Sequence, residues 1–118
     1  MLPKALKLTS KEILRLKSKK PKYLYVGTYF KIYFYNNLNN KENTKNKFIV
    51  IVPKKNVSKA FLRNLIKRQS YFVIMQNIKL FPTGCFIFVF KKSLKNIYRK
   101  TLYEKINLDV NIFLSKIS

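Results

Sequence analysis

Phe48-Ile49-Val50-Ile51-Val52-Pro53-Lys54-Lys55-Asn56-Val57-Ser58-Lys59-Ala60-Phe61-Leu62-Arg63-Asn64-Leu65-Ile66-Lys67-Arg68 is the stretch from which the fold can be read. It opens on five apolar residues, four of them β-branched in a row, which suits a strand buried on both faces. Phe48–Val52 is therefore expected as a strand, and as a central one. Pro53 ends it, because proline brings no N–H to a ladder. From Val57 the period changes. Stepping about 100° per residue, Lys59, Arg63, Asn64, Lys67 and Arg68 fall on one half of a helical wheel. Phe61, Leu62, Leu65, Ile66, Phe72 and Val73 fall on the other, with only Gln69 polar among them. The spacing predicts a helix over Val57–Gln76 with a core face and a basic face. Ile74 and Met75 return to the basic side, so an apolar neighbour is expected to cover that end.

Upstream, Thr9-Ser10-Lys11-Glu12 fits a capping box, and Leu8 and Ile13 stand where a hydrophobic staple would. A helix of about two turns is expected near Ser10–Ser18, closed by Pro21. In Thr28–Tyr35, Phe30, Ile32 and Phe34 alternate with Tyr29, Lys31, Tyr33 and Tyr35, the period-two pattern of a strand. Asn36–Asn46 holds six Asn and reads as a long polar hairpin loop. Downstream, Pro82-Thr83-Gly84 is a turn and Cys85–Phe90 a third strand, apolar on both faces. Asn96 is a candidate cap for a last helix over Ile97–Lys116, with Leu102, Ile106, Val110 and Phe113 as its core stripe. There is no internal repeat. Helix, strands, helix, strand, helix is an α+β order, with helices packed on a mixed sheet.

Composition narrows the function. Among 118 residues stand 26 Lys+Arg, four Asp+Glu and no His, for a net charge of +22. Such a domain repels itself and attracts polyanions. At 47% hydrophobic and 15% aromatic it is not a disordered tail. Lacking His, it has no Ser–His or Cys–His catalysis and no His-ligated metal. The single Cys85 rules out an intrachain disulfide and a Cys-rich zinc site, fits a reducing compartment, and is expected as core. The start, Met1-Leu2-Pro3-Lys4, has no apolar stretch of the signal-peptide kind, and no segment reaches the ~18 apolar residues of a membrane span. A cytoplasmic protein is expected. Lys outnumbers Arg 22 to four, with 12 Asn and 12 Ile, a bias that AT-rich coding favours. Arginines kept against that bias are the more informative.

The four acids, Glu12, Glu42, Glu104 and Asp109, are scattered, and a metal-dependent nuclease would cluster them. No catalytic residue and no metal ligand is expected in the chain. Lys54, Lys55, Lys59, Arg63, Asn64, Lys67 and Arg68, by contrast, gather cations, Arg forks and an amide at a strand end and along one helix face. These groups suit phosphate oxygens, and the helix N-terminus adds its dipole. Nucleic-acid contact is the expected use of that face. The Tyr29/Lys31/Tyr33/Tyr35 face offers rings among cations for stacking unpaired bases; equally, those tyrosines could pack under the first or last helix with their hydroxyls outward.

The segment from Lys54-Lys55 to Lys67-Arg68 resembles the signature of the protein subunit of bacterial ribonuclease P. The family pattern is a strand ending in Lys-Lys, a central Ala, and then Arg-Asn-Arg-x-Lys-Arg. Lys54-Lys55, Ala60, Arg63-Asn64, Ile66 and Lys67-Arg68 match it in type and spacing. Leu2-Pro3-Lys4 followed by Leu6-x-Leu8-Thr9 is similar to the family's start, and Gly84–Lys92 to the strand after its signature helix. Departures stand at Leu65 for the second Arg, at Tyr71-Phe72 for a later Arg-Glu pair and at Pro53 for a polar residue. The first-helix phenylalanines of the family appear as Ile13 and Lys17. Fewer specific contacts and more general charge are expected to hold the RNA.

The resemblance implies one RNA-binding domain over 1–118. Its central mixed sheet would have about four strands packed by three helices, in α-β-β-β-α-β-α order with a left-handed crossover. It also implies a ribonucleoprotein whose RNA is the catalyst and uses Mg²⁺, while the chain itself binds no cofactor. The partners implied are that catalytic RNA and the 5′ leader of precursor tRNA, with no membrane and no protein partner required. On this reading the signature-helix residues face the RNA, and Ile13, Lys17, Tyr29, Lys31, Tyr33 and Lys91 form the leader surface. A non-catalytic binder of ribosomal or other structural RNA is the alternative, since it needs only the charge and the fold. An independent nuclease is disfavoured by the scattered acids, and a DNA-binding architectural protein by the aromatic strand face.

Overall fold

Thr9 starts the first helix of the computed structural model, which describes residues 3, 6–36, 46–93 and 99–117. Thr9 Oγ1 accepts from the Glu12 N–H at 3.2 Å, and Glu12 Oε1 accepts from the Thr9 N–H at 2.9 Å. The capping box is complete, and α1 runs over Ser10–Lys17. Leu8 and Ile13 meet in one apolar cluster, as a staple requires. The opening at Leu2 and Lys4, Glu42 and most of the Asn-rich loop, and the Asn96 cap lie outside the described residues.

Four strands form one sheet in the order β1-β2-β4-β3: β1 is Tyr23–Val26, β2 Phe30–Tyr35, β3 Lys47–Ile51 and β4 Cys85–Phe90. β2 is antiparallel to both β1 and β4, whereas β3 is parallel to β4. Helix α2 (Ala60–Gln76) connects β3 to β4 and is followed by a 3-10 turn over Ile78–Leu80; α3 is Arg99–Ile117. The architecture is the mixed α+β sheet that the resemblance implies.

Several expectations need correcting. Phe48–Val52 is not central, for β3 lies at an edge and β4 takes the middle. The Asn-rich segment therefore does not close a hairpin, because β4 separates β2 from β3. The edge is dressed instead. Lys7 makes an isolated parallel bridge with Phe48, the Leu8 N–H donates to the Phe48 carbonyl at 3.0 Å, and the Val50 N–H donates to the Tyr71 hydroxyl at 3.1 Å. Helix α2 begins at Ala60 rather than Val57, with Lys59 as N-cap and Val57 buried.

Alternation sorts the sheet into two faces. One carries Phe30, Ile32, Phe34, Phe48, Phe86, Phe88 and Phe90 against α2 and α3. Phe34, Phe86 and Phe48 are cross-strand partners and stack in a row, with centroids 4.7 and 5.2 Å apart. Phe113 meets Phe86 edge-on at 6.1 Å. Leu102, Ile106 and Val110 are buried with it, as the α3 stripe requires. The other face carries Tyr33, Tyr35, Cys85 and Ile87, and Leu8 and Leu16 cover part of it.

A buried carboxylate ties α3 to the sheet. Asp109 Oδ2 accepts from the Tyr29 and Phe30 N–H groups at 2.8 and 3.0 Å, and Oδ1 accepts from the Tyr25 hydroxyl at 3.4 Å. The turn between β1 and β2 would otherwise bury unpaired donors. Burial, and next the Asp109 charge, push the Tyr25 phenol above its ordinary value. Gly27 is required there, since a Cβ would lie 2.8 Å from both Asp109 oxygens.

Candidate nucleic-acid interface

The turn that carries Lys54 and Lys55 is fixed from three sides. The Pro53 carbonyl accepts from the Asn56 and Val57 N–H groups, both at 3.1 Å. Asn56 Nδ2 donates to the Phe90 carbonyl at 3.0 Å, anchoring the turn to the end of β4. Arg63 Nη1 reaches back from α2 to the Val57 and Ser58 carbonyls at 3.0 and 2.7 Å. Lys54, Lys55 and Lys59 are exposed around this frame. No side chain caps the N-terminus of α2, and its first turn holds no acid, so its dipole faces the same cations.

One turn further along, Asn64, Lys67 and Arg68 line a cleft of about 580 Å³ with Lys7, Ile49, Val50 and Tyr71. The expected RNA-binding residues thus form two groups. Lys54, Lys55, Lys59 and Arg63 surround the N-terminus of α2, and the other three flank β3. Lys7 joins the second group through its bridge to Phe48.

The second candidate surface is the sheet face under α1. Ile13 and Tyr33 pack on the cluster formed by Leu8, Leu16, Tyr35, Cys85 and Ile87. Lys31 shares the face of Tyr33 by alternation, opposite Val89, and is exposed. Lys17 is exposed in the last turn of α1. Of the tyrosine face, Tyr35 is buried in the cluster under α1 and Tyr33 is half-exposed beside it. Tyr29 leaves the group. It precedes β2, packs on Phe90 across the sheet at 6.1 Å and lies under Lys92 at 5.7 Å. Lys91 is exposed, and its N–H donates to the Tyr29 carbonyl at 2.8 Å.

Comparison with family models matches residues 2–114 to Ribonuclease P. The chain belongs to the ribonuclease P protein family. Among solved structures, the ribonuclease P protein of Staphylococcus aureus is 21% identical, with a TM-score of 0.74 over 93% of this chain and 96% of that one. That of Thermotoga maritima is 19% identical, with a TM-score of 0.70 over 95% and 97%. These likenesses show the same fold. No curated protein sequence matches the chain.

Placed in the ribonuclease P family, the departures acquire structural explanations. Tyr71 turns inward, and its hydroxyl accepts from the β3 edge. Leu65 and Phe72 line a groove against α3. Pro53 offers its carbonyl to two N–H groups of the lysine turn. The acids are all accounted for among the described residues. Glu12 caps α1 and pairs with Lys47 at 2.7 Å, Asp109 holds backbone donors, and Glu104 is exposed. Partial burial works against the Glu12 charge. The Lys47 ammonium and the Thr9 hydrogen bonds outweigh it and hold the carboxyl below its ordinary value.

Lys7 and Tyr71, which line the cleft, and Asn56, which anchors the lysine turn, are parts of the candidate site that periodicity did not single out. Asn56 follows Lys54-Lys55 directly, and an amide in a tight turn is a recognisable anchor. Lys7, between Leu6 and Leu8, has the alternation of a short added strand. Tyr71 carries no such local mark.

Proposed function

We propose that this protein assists a catalytic RNA in removing 5′ leaders from precursor tRNAs. The observation that carries the reading is the acid-free basic frame at the N-terminus of α2 and along its flank, in a chain of the ribonuclease P family. Lys54, Lys55, Lys59, Arg63, Asn64, Lys67 and Arg68 contact the RNA subunit in this reading. Ile13, Lys17, Lys31 and Tyr33, with Lys91 at the margin, receive the single-stranded leader. Neutralising phosphates lets two polyanions approach, and holding the leader helps position the scissile bond. The chain supplies charge and orientation. The RNA, with its Mg²⁺, supplies the chemistry.

Reconstitution tests this. The protein is mixed with the ribonuclease P RNA of its own genome and a precursor tRNA at low Mg²⁺. Faster cleavage at the mature 5′ end is the expected result. Tight RNA binding without stimulation would make it a structural RNA binder, and cleavage by the protein alone would make it a nuclease.

A further inference from the structure

Phe61 and Phe72 do not enter the core that helical periodicity assigns them, being 65% and 55% exposed. Exposed apolar side chains are ordinary when single. Here Phe72 belongs to an open groove between α2 and α3, lined also by Leu65, Arg68, Gln69, Lys100 and Tyr103. The Phe72 and Tyr103 rings lie 6.0 Å apart, tilted by 49°. The Tyr103 hydroxyl donates to Gln76 Oε1 at 2.8 Å, which fixes that ring from its far edge. None of the lining side chains is acidic.

The groove combines an apolar floor with cationic walls, and that selects its occupant. A second copy of this chain would bring another +22 to the surface and repel. A nucleotide satisfies both halves at once, its base stacking on rings and its phosphate meeting Arg or Lys. Arg68 lines this groove and also the cleft of Lys7, Asn64 and Lys67, so one RNA strand crossing α2 reaches both. The groove lies on the helix side of the sheet, opposite the face that α1 covers, while the cleft opens at the β3 edge beside Lys7 and Ile49. The leader surface is therefore separate.

We propose that the α2–α3 groove binds an unpaired nucleotide of the RNA subunit, its base stacked against Phe72 and Tyr103 and its phosphate held by Arg68 and Lys100. This rests on the reading of the protein as the partner of a catalytic RNA.

The chain contains no Trp, so Phe72→Trp introduces a single reporter. Adding the RNA subunit alone to this full-length variant should quench its fluorescence at unchanged affinity. Phe72→Ala, folded as judged by its circular dichroism, should bind the same RNA about tenfold more weakly with an unchanged salt slope, because stacking releases no counterion. No quench, or wild-type affinity in Phe72→Ala, overturns the groove while leaving RNA partnership intact. A quench that needs precursor tRNA assigns the groove to the leader and overturns the source. A spectral change with protein concentration alone, with dimers in sedimentation, overturns it in favour of a second copy. Absence of RNA binding by the wild type removes the underlying functional reading instead.

Discussion

The Arg63 guanidinium spans the turn before α2, donating through Nη1 to the Val57 and Ser58 carbonyls. A phosphate contact by this residue would therefore be made from a side chain already held by backbone, with little rotamer entropy left to lose. Arg63→Ala should weaken assembly with the RNA and lower the salt slope by roughly one ion, ~0.7–0.9 in log–log units. Arg63→Lys keeps the charge but loses the planar fork, so its slope should recover while its affinity recovers only in part. Titrations of both variants at several salt concentrations separate the two. Wild-type affinity in Arg63→Ala would show that the helix N-terminus is not where the RNA sits.

Among the elements, α1 is attached to the sheet by apolar packing and by one ion pair that crosses to β3. The Glu12 carboxyl is lowered in the fold, so its contribution is present above the ordinary glutamate value and lost as pH falls through the lowered one. Glu12→Gln keeps a capping-box partner but not the charge. It should cost under ~1 kcal/mol at pH 7, the usual range for such a pair. Urea midpoints of variant and wild type should draw together as pH falls below the ordinary glutamate value and converge once it is below the lowered one. The two end helices were legible from local marks, a capping box at Thr9 and a four-four-three stripe from Leu102. β1 was not, since Tyr23-Leu24-Tyr25-Val26 is short and shows no polar alternation. The reading of Phe48–Val52 failed for a physical reason. An apolar run on both faces reports that both faces are covered, and α2 and the Leu8 segment cover an edge strand as readily as a central one. The buried arc of α2 is turned by roughly a quarter of a turn from the expected one, because it centres on Ile66. Ser70 is admitted to it by donating to the Ile66 carbonyl at 2.6 Å. Periodicity finds an apolar arc, but only the neighbouring helix decides which part is buried. Lys54, Lys55 and Lys59 are exposed at the start of α2, a position legible from the sequence because a charged side chain there needs no partner within the chain.

For the whole molecule the question is how much of the +22 binds RNA. The two groups around α2 contain six cations from the sequence-derived set, so a localised interface predicts a salt slope of about 4–5. A slope well above 10 for the RNA subunit would mean that lysines all over the surface take part, and the localised site would fall. The same molecule-wide view bears on β4, which pairs with both β2 and β3. Those two strands are consecutive in the chain yet never touch, so β2 has only β1 beside it and β3 has no strand partner until β4 arrives. While the polypeptide emerges from the ribosome, its first half can close only the β1–β2 hairpin. The β3 edge stays open until residue 90 has been made, and the β1–β2 turn lacks its carboxylate until Asp109 follows. Such late, distant closures slow folding and expose unpaired edges. In this interval the dense positive charge has a second use, since nascent chains that repel one another are kept from pairing edge to edge.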